Sequence, residues 1–398
     1  MNKITRCILV FLAALCLTAL CGCWDMREIN HLGLVTAVGV DKVVGSERFS
    51  VTVQIANPNE SGGGEGKGTT KAEEWIGTAE GDTLFEAIRN LSKISDKRIM
   101  WAHNNVVIIG ASLAKEGIIP VVDFFTHNPE LRMKTAVVVA DGEAKELISA
   151  TVGLENISGV SFVSLQSYRG LAAASVESNM LKVSSDLQSP YSSPLIAQIR
   201  LVKAITNTGE DKNDEETVEL SGAAVFKKDV MIGSLTAQEC RGVSWILNET
   251  DRTLVTVRDP QYGNKNVSVE TYEVKAKIKT KVVKGMPQVS IHITGKGDIA
   301  EEDASTDRDI DEVKDTVSKL VNKKVEEEVR LCLETIQKKY GVDVLGLAQV
   351  VHVQNDKEWE SGLKDRWVDV FPNIPLTVTA DFSVQSSTLN QIPMNIND

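Results

Sequence analysis

The sequence lacks the motifs that would identify an enzyme or a metal protein. None of its five histidines is paired with another at the spacing of zinc ligands on one helix, and no Gly-x-Ser-x-Gly nucleophile elbow is present. The glycine-rich stretch Ser61–Gly68 lacks the Gly-x-Gly-x-x-Gly spacing, and its Gly-Lys pair precedes Gly68 instead of serine or threonine. We therefore expect a non-enzymatic protein with no metal and no dissociable cofactor.

The chain also lacks an excess of positive charge. It has 43 lysines and arginines against 55 aspartates and glutamates, which gives a net charge of −12. An acidic surface repels the phosphates of nucleic acids and of anionic lipids. We expect no nucleic acid partner, and we expect membrane contact to come from a lipid or from protein partners instead of a basic face.

Cysteine is scarce, and its positions limit its chemistry. Three of the six cysteines lie in the first 22 residues, one is Cys23, and the remaining two are Cys240 and Cys332. Both of these fall among apolar residues in helical patterns. The pattern favours two buried free thiols over a disulfide and contains no paired-cysteine metal motif.

The start of the chain has the pattern of a lipoprotein signal. An apolar run over Ile8–Leu20 follows two basic residues, and at about 13 residues it is shorter than the ~20 that span a bilayer. Leu20, Gly22 and Cys23 occupy positions −3, −1 and +1 of a lipobox. We expect cleavage before Cys23 and a diacylglyceryl group, with an N-acyl chain, on that residue. An ordinary secretory signal, which prefers a small residue at −3, and a single membrane helix are the alternatives.

The rest of the chain alternates between strand and helix patterns, which predicts an α+β protein of mixed sheet-and-helix domains. The acidic stretch at 207–216 contains no apolar residue and is predicted to be a linker. The predicted organisation is a signal peptide at 1–22, an N-terminal domain at 23–206, a small middle domain at 217–264, a C-terminal domain at 265–388 and a disordered tail at 389–398.

The C-terminal domain is predicted to pack a long helix on an antiparallel sheet. Period-two alternation predicts a hairpin from residues 267–284 and 288–294. Residues 311–340 follow with an apolar stripe in steps of three and four, and Gly341 is placed to end the helix. The members of the stripe are Val313, Val317, Val321, Val325, Val329, Cys332, Ile336 and Tyr340.

Short motifs along the mature chain resemble the Ger(x)C family, the lipoprotein C subunits of spore germinant receptors. They occur in the same order as in that family. The motifs are CWDMREIN at 23–30, VGVD at 38–41, AHNNVVIIG at 102–110, FF at 124–125, PELR at 129–132, LSGAAVFKK at 220–228, ECRG at 239–242, DVLG at 343–346, Trp359, and Trp367 with Phe371 and Pro372.

The resemblance implies three mixed α/β domains without a catalytic site. It also implies assembly with a polytopic A subunit and a transporter-like B subunit at the spore inner membrane, where the receptor senses nutrients and triggers germination. The C subunit would be a lipid-anchored scaffold on the outer face. A free-standing solute-binding lipoprotein is the alternative, although such proteins usually have two large doubly wound lobes.

The same motifs supply candidate residues for an interface or a structural role. Trp24 could lie at the headgroup level of the membrane or pack on the first strand. His103 and Arg132 could contact a partner, or could make structural hydrogen bonds beside the buried strands. The full set of candidates is Trp24, Asp25, Glu28, His103, Arg132, Gly222, Glu239, Arg241 and Gly242.

Overall fold

Two β-sheets with packed helices make up the fold, and the expected mixed α/β class is confirmed. The structure is a computed structural model that describes residues 2, 4–8, 32–56, 74–150, 158–203, 216–260, 265–302 and 310–386. The predicted lipidation site at Cys23 and the candidates Trp24, Asp25 and Glu28 lie outside these residues. So do the glycine-rich stretch, most of the acidic stretch and the C-terminal tail.

The first sheet has nine strands in the order β3-β2-β1-β5-β6-β7-β8-β9, with β4 paired to β1. Strands β1, β5, β6 and β7 run parallel, and the outer strands are antiparallel. The strands are β1 Leu32–Lys42, β2 Phe49–Ala56, β3 Glu74–Gly81, β4 Arg98–Met100, β5 Val106–Ile109, β6 Ala136–Ala140, β7 Leu195–Lys203, β8 Glu216–Lys227 and β9 Val230–Leu235.

Helices cover both faces of this sheet, as the wholly apolar strands β5 and β6 require. Val107 and Ile109 belong to the core on one face, and Val106 and Ile108 to the core on the other. The helices are α1 Leu84–Leu91, α2 Ala111–Glu116, α3 Ile119–His127, α4 Ala144–Ser149, α5 Ser158–Ser167, α6 Arg169–Ala172, α7 Met180–Gln188 and, after β9, α8 Ala237–Leu247.

The second sheet has the order β10-β11-β12-β13, and its last pair is parallel. The predicted hairpin is confirmed, but the prediction of a wholly antiparallel sheet is wrong for β13. A long helix follows β12 and returns the chain to the end where β12 began, and a strand that starts there runs parallel. The strands are β10 Thr253–Asp259, β11 Lys265–Val283, β12 Met286–Glu302 and β13 Leu376–Ser386.

The long helix, α9 (Ile310–Glu334), continues into a π-helical turn at Thr335–Tyr340 and ends at Gly341, whose φ is +65°. The predicted helix and its buried stripe are confirmed. A polar row on α9 also covers the edge strand β13. Ser318, Asn322 and Glu326 accept hydrogen bonds from the backbone N–H groups of Val384, Phe382 and Ala380, at 3.1, 2.7 and 3.1 Å. These bonds satisfy a sheet edge that would otherwise be open to another chain.

Short helical turns between α9 and β13 complete the part of the chain that contains the second sheet. They pack an aromatic cluster against the part that contains the first sheet. Tyr191 precedes β7, and its ring lies 5.0 Å from that of Trp359, which lies 5.6 Å from Trp367. The elements are α10 Leu347–Gln354, α11 Asp356–Glu358, a π turn at Trp359–Leu363, a 3₁₀ turn at Lys364–Arg366, α12 Trp367–Val370 and a 3₁₀ turn at Phe371–Asn373. Among the described residues, no helix combines the length and apolar character needed to cross a bilayer.

The sheet topology divides the predicted middle segment, 217–264, between the two sheets. β8 and β9 extend the first sheet, whereas β10 pairs with β11 in the second. β7 and β8 also pair across the predicted linker, with Lys203 opposite Glu216. An acidic, polar stretch looks the same in a sequence whether it joins two domains or two neighbouring strands, so the local pattern could not distinguish these cases.

Candidate functional site

The junction between α8 and α9 brings together three of the candidate residues, Glu239, Arg241 and Gly242. A capping box begins α8: Thr236 Oγ1 accepts a hydrogen bond from the Glu239 N–H at 3.3 Å, and the Glu239 carboxylate accepts one from the Thr236 N–H at 2.7 Å. Thr335, in the π turn after α9, also donates to Glu239. Burial raises the pKa of Glu239, but the hydrogen bonds from Thr335 and Thr236 outweigh it, and the net shift is downward.

α8 and α9 approach each other closely at Gly242. A Cβ atom at this position would lie 2.4 Å from Cys332 Cβ and 2.5 Å from the carbonyl oxygen of Glu328. Both distances are far below van der Waals contact, so the helices can pack this closely only where the side chain is absent. Gly242 therefore has a packing role.

Arg241 binds the most deeply buried ion-pair partner at this junction. Its Nε lies 3.2 Å from Glu328 Oε2, and its guanidinium also donates to the Leu254 carbonyl at 3.1 Å. Trp245 Nε1 donates to the same carboxylate oxygen at 2.9 Å. Only 3% of the Glu328 side chain is exposed, against 22% for Arg241. Lys324 Nζ lies 3.9 Å from the other oxygen, so the buried charge is fully compensated.

An open groove of about 740 Å³ lies beside this ion pair, between α8, α9 and β10. Arg241, Lys324 and Glu328 supply its charged groups. No serine, cysteine or histidine is among the described residues that line it, and Glu328 Oε2 already accepts two hydrogen bonds. The groove offers charge and shape to a bound molecule, with the Thr256 hydroxyl and the Lys324 amine among its polar groups. Its lining residues are Leu171, Ala174, Ala237, Gln238, Arg241, Leu254, Thr256, Lys324 and Glu328.

Burial makes the two cysteines near this junction unreactive. Cys240 and Cys332 are buried free thiols, in agreement with the sequence pattern. Burial raises the pKa of both thiols above the ordinary value. The thiolate is the nucleophilic form, so neither residue is suited to covalent catalysis.

Gly222 has a structural role in β8. Its φ of +128° and a shift in the β7–β8 register opposite Gln198 mark a bulge. A Cβ atom here would lie 2.1 Å from the Leu235 carbonyl oxygen. The Gly222 carbonyl also accepts a hydrogen bond from the Ser175 hydroxyl at 2.8 Å, which connects β8 to the segment before α7.

His103 and Arg132 are exposed and lie on adjacent turns. The two turns are joined by hydrogen bonds from Thr135 Oγ1 to the Asn104 carbonyl and from the Trp101 N–H to Glu130, at 3.2 and 3.5 Å. Neither candidate side chain makes a hydrogen bond or an ion pair with another residue that the structure describes. Both are therefore available to a partner.

Two aspartates lie where the second half of the chain packs against α7. The Asp343 carboxylate accepts hydrogen bonds from the N–H groups of Leu347 and Ala348, at 3.0 and 2.7 Å. Burial nevertheless raises its pKa to about 6. Burial also raises the pKa of Asp186 to about 6, where Lys182 lowers it and the charge of Asp343 raises it further.

These raised values predict a pH-dependent stability. Between about pH 4 and pH 6 the folded chain holds protons that the unfolded chain has released, so this contribution to stability falls as the pH rises and stays low above pH 6. Asp186→Asn removes one partly buried charge and is expected to stabilise the protein at pH 7.5 by about 1–2 kcal/mol, with little effect at pH 4. Thermal melts at both pH values test this, with the exposed Asp315→Asn as control. An equal gain at both pH values would contradict it.

A second polar cluster lies on the surface near α10. His352, Asp356 and Glu360 place one potential ligand atom each within 4.8 Å of the others. This set of one imidazole and two carboxylates has no paired-histidine spacing in the sequence. Lys364 already pairs with Glu360 at 2.6 Å, and the His352 ring stacks on Trp359 at 5.3 Å, so each group has a structural partner.

Two family models match the chain in succession. The model described as "Spore germination protein N-terminal domain" matches residues 25–201, and the model described as "Spore germination B3/ GerAC like, C-terminal" matches residues 221–388. The gap between them contains the acidic stretch. The two models together cover both sheets.

Curated relatives match along almost their whole length. Spore germination protein KC of Bacillus subtilis (strain 168) is 26% identical over 403 residues, which is 98% of this chain and 98% of the relative. The putative spore germination protein YfkR of the same organism is 26% identical over 388 residues, covering 94% and 96%. Spore germination protein B3 of that organism is 23% identical, covering 92% and 94%.

A solved structure has the same fold. The crystal structure of the GerBC protein matches with a TM-score of 0.56 at 18% identity, over 87% of this chain and 96% of that one. At this level of identity the likeness concerns the fold alone. The overall fold is therefore shared with the GerBC protein.

Proposed function

The chain belongs to the Ger(x)C family of spore germination proteins, and we propose that it is the non-enzymatic C subunit of a nutrient germinant receptor. In this proposal it assembles with a polytopic A subunit and a transporter-like B subunit at the spore inner membrane. A diacylglyceryl group and an N-acyl chain on Cys23 anchor it to the outer face. Two or more acyl chains hold a protein firmly on a bilayer, whereas one chain does so only marginally.

The observation that carries the proposal is the end-to-end match with germination proteins. Both family models occur in order, and a relative named as a spore germination protein matches over 98% of both chains. The state of three reactive side chains in the described part of the chain supports a scaffold function over an enzymatic one. The thiols of Cys240 and Cys332 are buried, and the Glu328 carboxylate is held in an ion pair.

A free-standing solute-binding lipoprotein is the second candidate, and the open groove beside Arg241 and Lys324 favours it. The second sheet argues against this candidate, because three of its four strands pair antiparallel and the described residues form no second doubly wound lobe. Calorimetric titration of the mature chain with candidate nutrients separates the two. Micromolar binding without any partner subunit would favour the solute-binding function.

Replacing Cys23 by alanine tests the anchor and the receptor role together. The variant has no thiol to acylate, so we expect a high-salt wash to release it from the membrane fraction, and nutrient-triggered germination to fall to the rate of spores that lack the gene. Germination by non-nutrient triggers should survive, because it does not require the receptor.

Cys21→Ser is the matched control, because position −2 of the lipobox accepts a small hydroxyl side chain. It should behave like the unaltered protein. Normal nutrient germination by the Cys23 variant, in a strain without a paralogue, would overturn the proposal.

A further inference from the structure

The end of the first sheet at which β1 begins carries a group of basic side chains. Leu32, the first residue of β1, is the register partner of Arg98 in β4. Lys93 lies in the segment that leads from α1 into β4. Arg132 and Lys134 lie on the turn before β6, which hydrogen-bonds to the turn that follows β4. We call the surface formed by Lys93, Ile94, Arg98, Arg132, Met133 and Lys134 the tether-side face.

The four cations on this face outnumber the exposed carboxylates in the same segments, Asp96 and Glu130. Lys93, Arg98, Arg132 and Lys134 are exposed, and none of them forms an ion pair with a described residue. Some exposed arginines elsewhere are paired, as Arg200 is with Glu219 at 2.8 Å, whereas others, such as Arg89 and Arg258, form no ion pair with a described residue. On the tether-side face, four cations against two neighbouring carboxylates give an acidic protein a local positive potential that its net charge conceals.

Apolar side chains are exposed among these cations. Ile94 is 55% exposed and Met133 is 36% exposed. Leu181, which is 57% exposed, adjoins them, because its N–H donates to the Met133 carbonyl at 2.9 Å. Cations interspersed with exposed apolar side chains suit the headgroup region of a bilayer, where charge meets phosphate and apolar groups meet acyl chains.

The opposite end of the same strands is acidic. Lys42, the last residue of β1, pairs with Glu47 and Glu116 at 3.2 and 3.5 Å. Asp41 lies beside Glu143 and Glu146, whose charges act on its carboxyl. The first sheet is therefore electrically polar along its strands, and an anionic surface would attract one end and repel the other.

The position of the proposed lipid anchor indicates that the tether-side face meets the membrane. Cys23 precedes Leu32 by nine residues, which span at most about 30 Å when fully extended. A lipid on Cys23 thus keeps the basic end of the sheet close to the bilayer. We propose that the tether-side face docks on anionic phospholipid headgroups and fixes the orientation of the protein on the membrane. The proposal rests on the lipid-anchored function above.

Vesicle binding by the mature chain without its lipid tests the docking directly. A chain that begins at Trp24 keeps all the core residues, because the buried clusters start at Val35. We expect it to co-sediment with phosphatidylcholine vesicles that contain phosphatidylglycerol, but not with pure phosphatidylcholine, and the binding should weaken as salt is added. The combined variant K93Q/R98Q/R132Q/K134Q should lose about tenfold or more in partitioning.

The matched control removes the same charge elsewhere. Lys115, Lys145, Lys227 and Lys357 are exposed and lie in four separate elements, α2, α4, β8 and α11, so K115Q/K145Q/K227Q/K357Q changes the net charge equally without removing a second row of neighbouring cations. It should keep its partitioning within about twofold. The docking proposal is overturned by equal binding to both kinds of vesicle, by no binding, or by a larger loss in the control. Because the assay contains neither anchor nor partner subunit, those results would leave the receptor proposal standing.

Discussion

Gly242→Ala is expected to lower the free energy of unfolding by about 2–4 kcal/mol. The new Cβ would lie 2.4 Å from Cys332 Cβ and 2.5 Å from the backbone carbonyl of Glu328. A backbone atom of a long helix cannot move aside as the end of a flexible side chain can. α8 and α9 must therefore separate, which also disturbs the ion pair between Arg241 and Glu328.

Denaturant unfolding of the mature chain measures this loss, and Gly142→Ala is the matched control. A Cβ at Gly142 would meet only Glu146 Oε2, at 3.4 Å, and the φ of Gly142 is not in the left-handed region. The control should change stability by less than about 0.5 kcal/mol. If Gly242→Ala is as stable as the control, then α8 and α9 do not pack as described.

Glu328→Ala is expected to cost about 3–5 kcal/mol, because it leaves a buried donor and a largely buried cation without their acceptor. Trp245 Nε1 would lose its bond of 2.9 Å, and Arg241 would lose its ion pair of 3.2 Å. Lys324 would add its own uncompensated charge at the groove. Removing one partner of a buried pair costs far more than the pair itself contributes.

Glu327→Ala is the control for this prediction. Glu327 is one residue away on the same helix, its side chain is 53% exposed, and its nearest cation, Lys323, is 3.9 Å away. Its loss should cost less than about 0.5 kcal/mol. Glu328→Gln keeps the shape and one acceptor, so we expect an intermediate cost. Equal stabilities for the Glu327 and Glu328 variants would show that the buried ion pair does not stabilise the junction.

Sequence patterns predicted most of the helices and strands, because the residues that determine each of them lie close together in the chain. Alternation predicted β11 and β12, and the valine stripe with Gly341 predicted α9 and its end. Thr236, three residues before Glu239, is a capping signal that a reader can find in the sequence alone. Each of these features depends on residues a few positions apart.

Features that depend on distant pairing were missed. The sequence does not show that β7 pairs with β8 across the acidic stretch, or that β13 lies parallel to β12. The buried position of Glu328, by contrast, can be predicted from the sequence. Glu328 follows Val325 by three residues and precedes Cys332 by four, so it lies at the edge of the apolar stripe, where a charge needs a partner.

The residues of interest also divide into those that lie in local sequence motifs and those that only the fold brings together. Gly222, Glu239, Arg241 and Gly242 lie in the motifs that the sequence singled out, but their contacts show packing, capping and ion pairing inside the fold. The unpaired cations of the tether-side face come from separate segments that only the fold brings together. A net charge of −12 averages over them and led to the expectation that the protein has no basic face.

The central claim is that this chain is one subunit of a membrane receptor, and co-purification from solubilised spore inner membrane tests it most directly. The protein should be recovered by affinity capture, with mass spectrometry to identify what remains bound. We predict a polytopic A-type subunit and a transporter-like B-type subunit in the eluate, both lost when Cys23 is replaced by alanine. Capture of abundant, acylated protein with neither subunit would contradict the account.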